Sequence, residues 1–374
     1  MILDAWTALA EAYDDRTRAA RLCKSGGGRV AGYLGTTVPV ELLSAAGFFP
    51  LQLSGEPDAP TPLGDRYMED LFDPIVRSVF DRLLAGCYDF LDLIVLPRSS
   101  DSAQRLYYYL CELRRTGRAD LPEILLFDVS HTHWDSSRRH NRLRFDELRA
   151  GVEAVAGRSV APAALSTEIA ASNRRRRRLR EVVALRRERP ARLSGVRALQ
   201  AFDGWRSLSG EAFDPLIDEA LADPGPPPPT GPRLILTGSA LDHSGLHALV
   251  ESLGATVVGD DHAYGEQGVG PHVDEAAEPF QALLDHYQAI PCSRTFQRPA
   301  EALTDFALSA GAAGVVFHLF SEEEAFTWEY PAQRRALEAL GLGVLSLALQ
   351  PYTRDAGRLR GVLAHFIEGL SAHG

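Results

Sequence analysis

The sequence predicts an α/β protein of two Rossmann-like lobes with parallel sheets, joined by a helical segment. Three observations carry that expectation. Short apolar runs of strand length alternate with longer stretches of helical period, first over residues 29–145 and again over 233–374. That alternation is the pattern of parallel strands linked by crossover helices. Between the two regions, over 146–222, the strand-like runs stop and charged stretches of helical period take over. Finally, 374 residues exceed one ordinary core, and DPGPPPPTGP at 223–232 is a stiff linker where a boundary belongs.

Taken in order, the first 22 residues put Ala5, Trp6, Leu9, Ala10 and Tyr13 on one stripe and predict an amphipathic helix. Gly26, Gly27 and Gly28 break it, so residues 1–28 form an N-terminal unit. A strand is expected at 29–34, then a helix over 38–46 with Pro39 in its first turn, where a missing N–H costs nothing. A strand at 49–53, a helix at 74–85, an apolar buried strand at 93–97, a helix at 103–115 and a strand at 123–128 complete the first lobe. After the linker come strands at 233–237, 256–258, 314–318 and 344–347, with helices at 241–253, 300–310, 332–340 and 358–370. Ligands of such sheets bind beyond the carboxyl ends of the strands, which favours the residues after Pro97, Thr237, Phe317 and Leu347.

Composition narrows the function. No stretch reaches the roughly 18 to 20 uninterrupted apolar residues of a membrane span, and the first residues lack the basic region and apolar run of a secretory signal, so a cytoplasmic protein with no membrane partner is expected. A net charge of −11 opposes nonspecific attraction to nucleic acid. The basic run Arg174–Arg178 with Arg180 reads as a solvated helix face. Cys23, Cys87, Cys111 and Cys292 form no CxxC pair and read as buried small hydrophobes. His131, His133 and His140 fit no common metal spacing. TGSALDHSG at 237–245 lacks the lysine and glycine spacing of a phosphate loop. Ser100 and Ser239 lie in no GxSxG elbow, which argues against a serine hydrolase.

Several blocks then resemble one family. GYLGTTVPVELLSAAGFFPLQLSG (32–55), DPIVRSVFDRLLAGCYDFLDLIVLPRSSDSAQRLYYYL (73–110), SNRRRR (172–177), GATVVGDDHAYG (254–265), AIPCSR (289–294), GVVFHLFSEEE (314–324), EYPAQRRALEALGLGVLSL (329–347) and LRGVLAHFIEGL (359–370) occur in the order seen in the 2-hydroxyacyl-CoA dehydratase and benzoyl-CoA reductase family. The resemblance implies a four-iron four-sulfur cluster on three cysteines. One stands four residues before an arginine, one in P-x-x-C-D-S, and one after the strand G-V-I. The matching positions here are Asp73 (before Arg77), Ser100 and Ser321. An aspartate and two hydroxyls are hard oxygen donors in place of soft thiolates.

The expectation is therefore a chain that binds no cofactor or metal itself and does not perform the family's radical chemistry alone. Family habit implies a homologous cluster-bearing partner subunit holding the four-iron four-sulfur cluster, an ATP-dependent activator, and an acyl-CoA substrate shaped by a heterodimer. Thr36, Thr37, Glu41 and Arg77 are the candidate substrate contacts, with capping, packing and a local ion pair as their plainer roles. A different outcome is a stand-alone family member. In it Asp73, Ser100, Asp101, Ser102, Ser321 and Glu322 converge on one polar pocket for a small ligand or hard cation, unless Phe72 and Phe320 fill it.

Overall fold

The computed structural model describes residues 4–132, 134–290 and 299–372. The chain opens with two helices, α1 (Ala5–Asp14) and α2 (Arg18–Ser25), where the sequence predicts one. A turn at Asp15, whose carboxylate accepts from the Thr17 hydroxyl at 3.0 Å, separates them. The first lobe follows as β1 (Arg29–Tyr33), α3 (Val40–Ala45), β2 (Phe48–Gln52), α4 (Pro74–Leu84), β3 (Leu93–Pro97), α5 (Asp101–Arg115) and β4 (Glu123–Phe127). Pro39 sits at the cap just before α3 and not within its first turn.

Next come four long helices, α6 (Asp135–Ala156), α7 (Pro162–Arg187), α8 (Gly195–Ser207) and α9 (Gly210–Ala222). Beyond the proline-rich stretch lie β5 (Arg233–Gly238), α10 (Gly245–Ser252), β6 (Thr256–Asp261), α11 (Pro279–Ala289), α12 (Pro299–Ala310), β7 (Gly314–Phe320), α13 (Ala325–Ala339), β8 (Gly343–Gln350) and α14 (Arg360–Ser371). Three elements depart from expectation. Helix α11 has no counterpart among the predicted elements. Helix α13 starts seven residues early and carries Pro331 inside, which reads in sequence as a breaker. Strand β6 runs on through the acids Asp260 and Asp261, because both are buried and partnered.

Both sheets are four-stranded and wholly parallel, ordered β2-β1-β3-β4 and β6-β5-β7-β8. The two lobes share one topology, and in each the strand order reverses between its first and third strands. Side chains along β3 alternate between two cores. Leu93 and Val95 join Phe127 and Leu283 on one face, while Ile94 and Leu96 join Phe80 and Leu106 on the other. The second lobe repeats this, with Leu234 and Leu236 on one face and Ile235 on the opposite one. Helix α1 belongs to the helical layer: Trp6 and Leu9 pack with Leu179, Phe202, Phe213 and Ile217.

The basic run is a solvated face only in part: Arg174, Arg177, Arg178 and Arg180 are exposed. Arg176 is buried against Glu41, Arg175 pairs with Asp214, and at the end of the same helix Arg186 is wholly buried. The helix packs one side against both lobes, where Arg176 and Arg186 meet acids, and leaves the other side to solvent. Among the described cysteines none is fully buried: Cys23 and Cys111 are half-buried at the edge of the first lobe's core, and Cys87 is exposed. Cys292 and His133 lie outside the described residues.

Candidate functional site at the facing strand ends

The reversal points of the two sheets face each other across a cavity of about 490 Å³. Residues after β3 (Ser100, Asp101, Ser102) and after β7 (Ser321, Glu322, Glu323, Glu324) line it, together with Glu69, Leu71, Phe72, Asp73, Arg105 and Phe320. All six polar positions expected to converge do so. Phe72 and Phe320 form part of the wall without filling the space.

Two of the three positions where the family motif has cysteine are helix caps here. Asp73 accepts from the amides of Ile75 (2.9 Å) and Val76 (3.0 Å), closing the start of α4, with Pro74 at the first helical position. Ser100 accepts from the Ala103 amide at 3.1 Å and closes α5. Ser102 joins them by accepting from the Asp73 amide at 3.1 Å. Ser321 is exposed, and its amide donates to the Gln350 carbonyl at 3.2 Å. Burial pushes the Asp73 carboxyl above its ordinary value despite its two amide donors. Glu322 and Glu323 are raised as well, first by burial and then with Asp73 adding repulsion.

The four candidate substrate contacts separate. Arg77 turns away from the cavity to Asp65 (2.7 Å) and Asp70 (2.8 Å), not to Asp73 or Asp101. Glu41 is saturated: Arg176 (2.8 Å), the Ser172 hydroxyl (2.7 Å) and the Tyr287 hydroxyl (2.7 Å) all donate to it. Burial acts to raise its pKa, but Arg176, His286 and the two hydroxyl donors outweigh that and hold it at about 2. Glu41 thus ties α3 to α7 and α11. Thr37 is buried beside Arg98, Phe127 and Tyr287 around a void of about 10 Å³, and its hydroxyl meets no hydrogen-bond partner among the described residues. Such a void is about one water in size. Thr36 alone of the four lines open space without being committed elsewhere. It borders a second cavity of about 440 Å³, walled by Phe48, Trp205, Arg206, Gln267 and His286.

A buried cluster at the end of β6 escapes the sequence reading. Asp260 takes Arg186 on one oxygen and His247 Nε2 (2.7 Å) on the other, and Arg186 also reaches Glu266 at 2.6 Å. The donor atoms of His247, Asp260 and His262 lie within 4.8 Å of one another. The Gly265 amide donates to His262 Nδ1 at 3.1 Å, which leaves the ring proton on Nε2, and Arg186 already neutralises Asp260. The set is a charge network centred on Arg186 and Asp260, with His247 Nδ1 and His262 Nε2 meeting no hydrogen-bond partner among the described residues. The DDH triplet at 260–262 is its only signal in the sequence.

Against this geometry, comparison with known proteins gives one family. A profile described as "2-hydroxyglutaryl-CoA dehydratase, D-component" matches residues 35–370. This chain belongs to that family. It is 22% identical over 358 residues to the (R)-2-hydroxyglutaryl-CoA dehydratase subunit beta of Acidaminococcus fermentans, covering 93% of this chain and 94% of that one. It is 21% identical over 340 residues to the lactoyl-CoA dehydratase subunit beta of Anaerotignum propionicum, covering 89% of each. A benzoyl-CoA reductase subunit of Thauera aromatica is 25% identical over 262 residues, covering 68% of this chain and 67% of its own. These relatives are named as subunits, and the D-component match spans both lobes and the helical layer between them. Among the described residues no helix is long and apolar enough to cross a membrane.

Proposed function

We propose that this chain is a cluster-free subunit of a 2-hydroxyacyl-CoA dehydratase or benzoyl-CoA reductase-like complex, in which it completes a heterodimer with a cluster-bearing homologue and helps shape the acyl-CoA site. The observation that carries this reading is the donor set at the facing strand ends. Asp73, Ser100 and Ser321 supply one carboxylate and two hydroxyls, and Asp73 and Ser100 are engaged as helix caps. An iron-sulfur cluster needs thiolates, and this set does not fit one. On this reading the four-iron four-sulfur cluster resides in the partner subunit, an ATP-dependent activator serves that partner, and the complex works in the cytoplasm. Thr36 at the second cavity is the acyl-CoA contact best supported by exposure, with Glu41 and Thr37 fixing the turn that presents it.

Iron and sulfide analysis with an absorption spectrum, on protein purified without oxygen, tests the proposal. The chain alone is expected to be colourless, and the co-expressed pair brown with iron for one subunit. Near-stoichiometric iron and sulfide on the lone chain would overturn it. A second reading, a stand-alone member that binds a small ligand or hard cation at the vacated site, gains support from the open cavity lined by half-buried acids. Calorimetric titration of the lone chain with Mg²⁺ and Ca²⁺ separates the two readings.

A further inference from the structure

The cavity between the facing strand ends is lined by carboxylates, with exposed apolar side chains on its wall and on the segments that adjoin it. Glu69, Asp73, Asp101, Glu322, Glu323 and Glu324 line it, and among the described residues of its wall the one cation is Arg105, itself 3.9 Å from Asp101. Leu71, on the wall, is 77% exposed. Trp328 is 84% exposed and stands one helical turn above Glu324, whose carbonyl accepts from the Trp328 amide at 3.1 Å, so both occupy one face of α13. The buried face of that helix is carried by Gln333 and Leu337 on its other side. Leu349 is 73% exposed and adjoins Gln350, which pairs with Phe320 and accepts the Ser321 amide. It holds φ +55, a conformation a bulky L residue rarely adopts, at the end of the edge strand β8.

Three large apolar groups around an acidic hollow are the two halves of a protein interface, apolar anchors and a charge-selective centre. We infer that this face docks a basic, apolar-flanked segment of the partner subunit, with a lysine or arginine entering the hollow between Leu71, Trp328 and Leu349. The sign of the charge selects the occupant. A second copy of this chain would bring the same carboxylates against these across a two-fold axis, and an anionic lipid surface or nucleic acid would be repelled. The inference rests on the reading of this chain as one subunit of a pair, and it adds which face is covered and by what chemistry.

The test uses this chain alone and co-expressed with a cluster-bearing homologue. Hydroxyl-radical footprinting should show Trp328 and Leu349 modified several-fold less in the complex, while Trp134, 72% exposed beside α6, is unchanged. The substitutions E322Q, E323Q and E324Q together keep side-chain volume and leave the cap at Asp73 intact. They are expected to weaken the complex about tenfold and to flatten its salt dependence. Circular dichroism of that variant should match the unmodified chain, which separates loss of docking from loss of fold. A complex that forms with Trp328 as reactive as in the lone chain, or that binds the triple variant equally well, overturns the docking face and leaves the subunit reading standing. Failure to form any complex at low salt overturns both.

Discussion

Replacing Glu41 with glutamine is expected to destabilise the protein by about 3 kcal/mol at neutral pH. The carboxylate is 2% exposed and accepts from Arg176, Ser172 and Tyr287, which come from two other helices. Removing one partner of a buried ion pair costs about 3–5 kcal/mol, because the remaining charge stays buried without compensation. An independent route gives a similar size: a carboxyl held at about 2, against 4.5 when unperturbed, favours the charged folded form by roughly 3 kcal/mol. Since the folded value lies below the unfolded one, this stabilisation is fully present above pH 4.5 and is lost as pH falls toward 2. Urea unfolding at pH 7, repeated between pH 5 and 2, reads both effects. The gap between E41Q and the unmodified chain should shrink on acidification, and E41Q with R176M should recover part of the loss by removing the stranded cation. A loss below about 1 kcal/mol at pH 7, with an unchanged acid profile, would refute the assignment of Glu41 as the tie between the first lobe and the helical layer.

Further outcomes follow from the same structure. D73A should cost about 1 kcal/mol of stability through loss of the α4 cap, whereas D73N should cost little, as denaturant midpoints can show. The triple substitution D73C, S100C and S321C should let the chain take up iron and sulfide on anaerobic reconstitution, with a brown absorption band that the unmodified chain lacks. R186M should cost about 3–5 kcal/mol in a urea titration, because it leaves Asp260 buried without its guanidinium partner, while Glu266 keeps Arg187. Burial holds His243, His286 and His318 at about 4, so they are neutral when folded at pH 6 and protonate readily once unfolded. Their depressed values mean stability is complete above pH 6.5 and declines as pH falls from 6.5 toward 4, visible as a falling melting temperature.

The sequence by itself determined the family, the alternation of strands and helices, and the three oxygen-bearing positions at the strand ends. Apolar period and family wording are local signals, and they survive whatever the rest of the chain does. Strand β3 at Leu93–Pro97 could be read to the residue because its five side chains are all buried and no polar position blurs its ends. What each charged side chain faces was decided only by the tertiary structure. Arg176 and Arg186 look like members of a solvated run until α7 is placed between two lobes, where Glu41 and Asp260 meet them from 135 and 74 residues away in sequence. Arg77 looks like a partner for Asp73, yet the loop before α4 offers it Asp65 and Asp70 first. Burial, pairing and exposure are sums over groups distant in sequence, so no window of residues contains them.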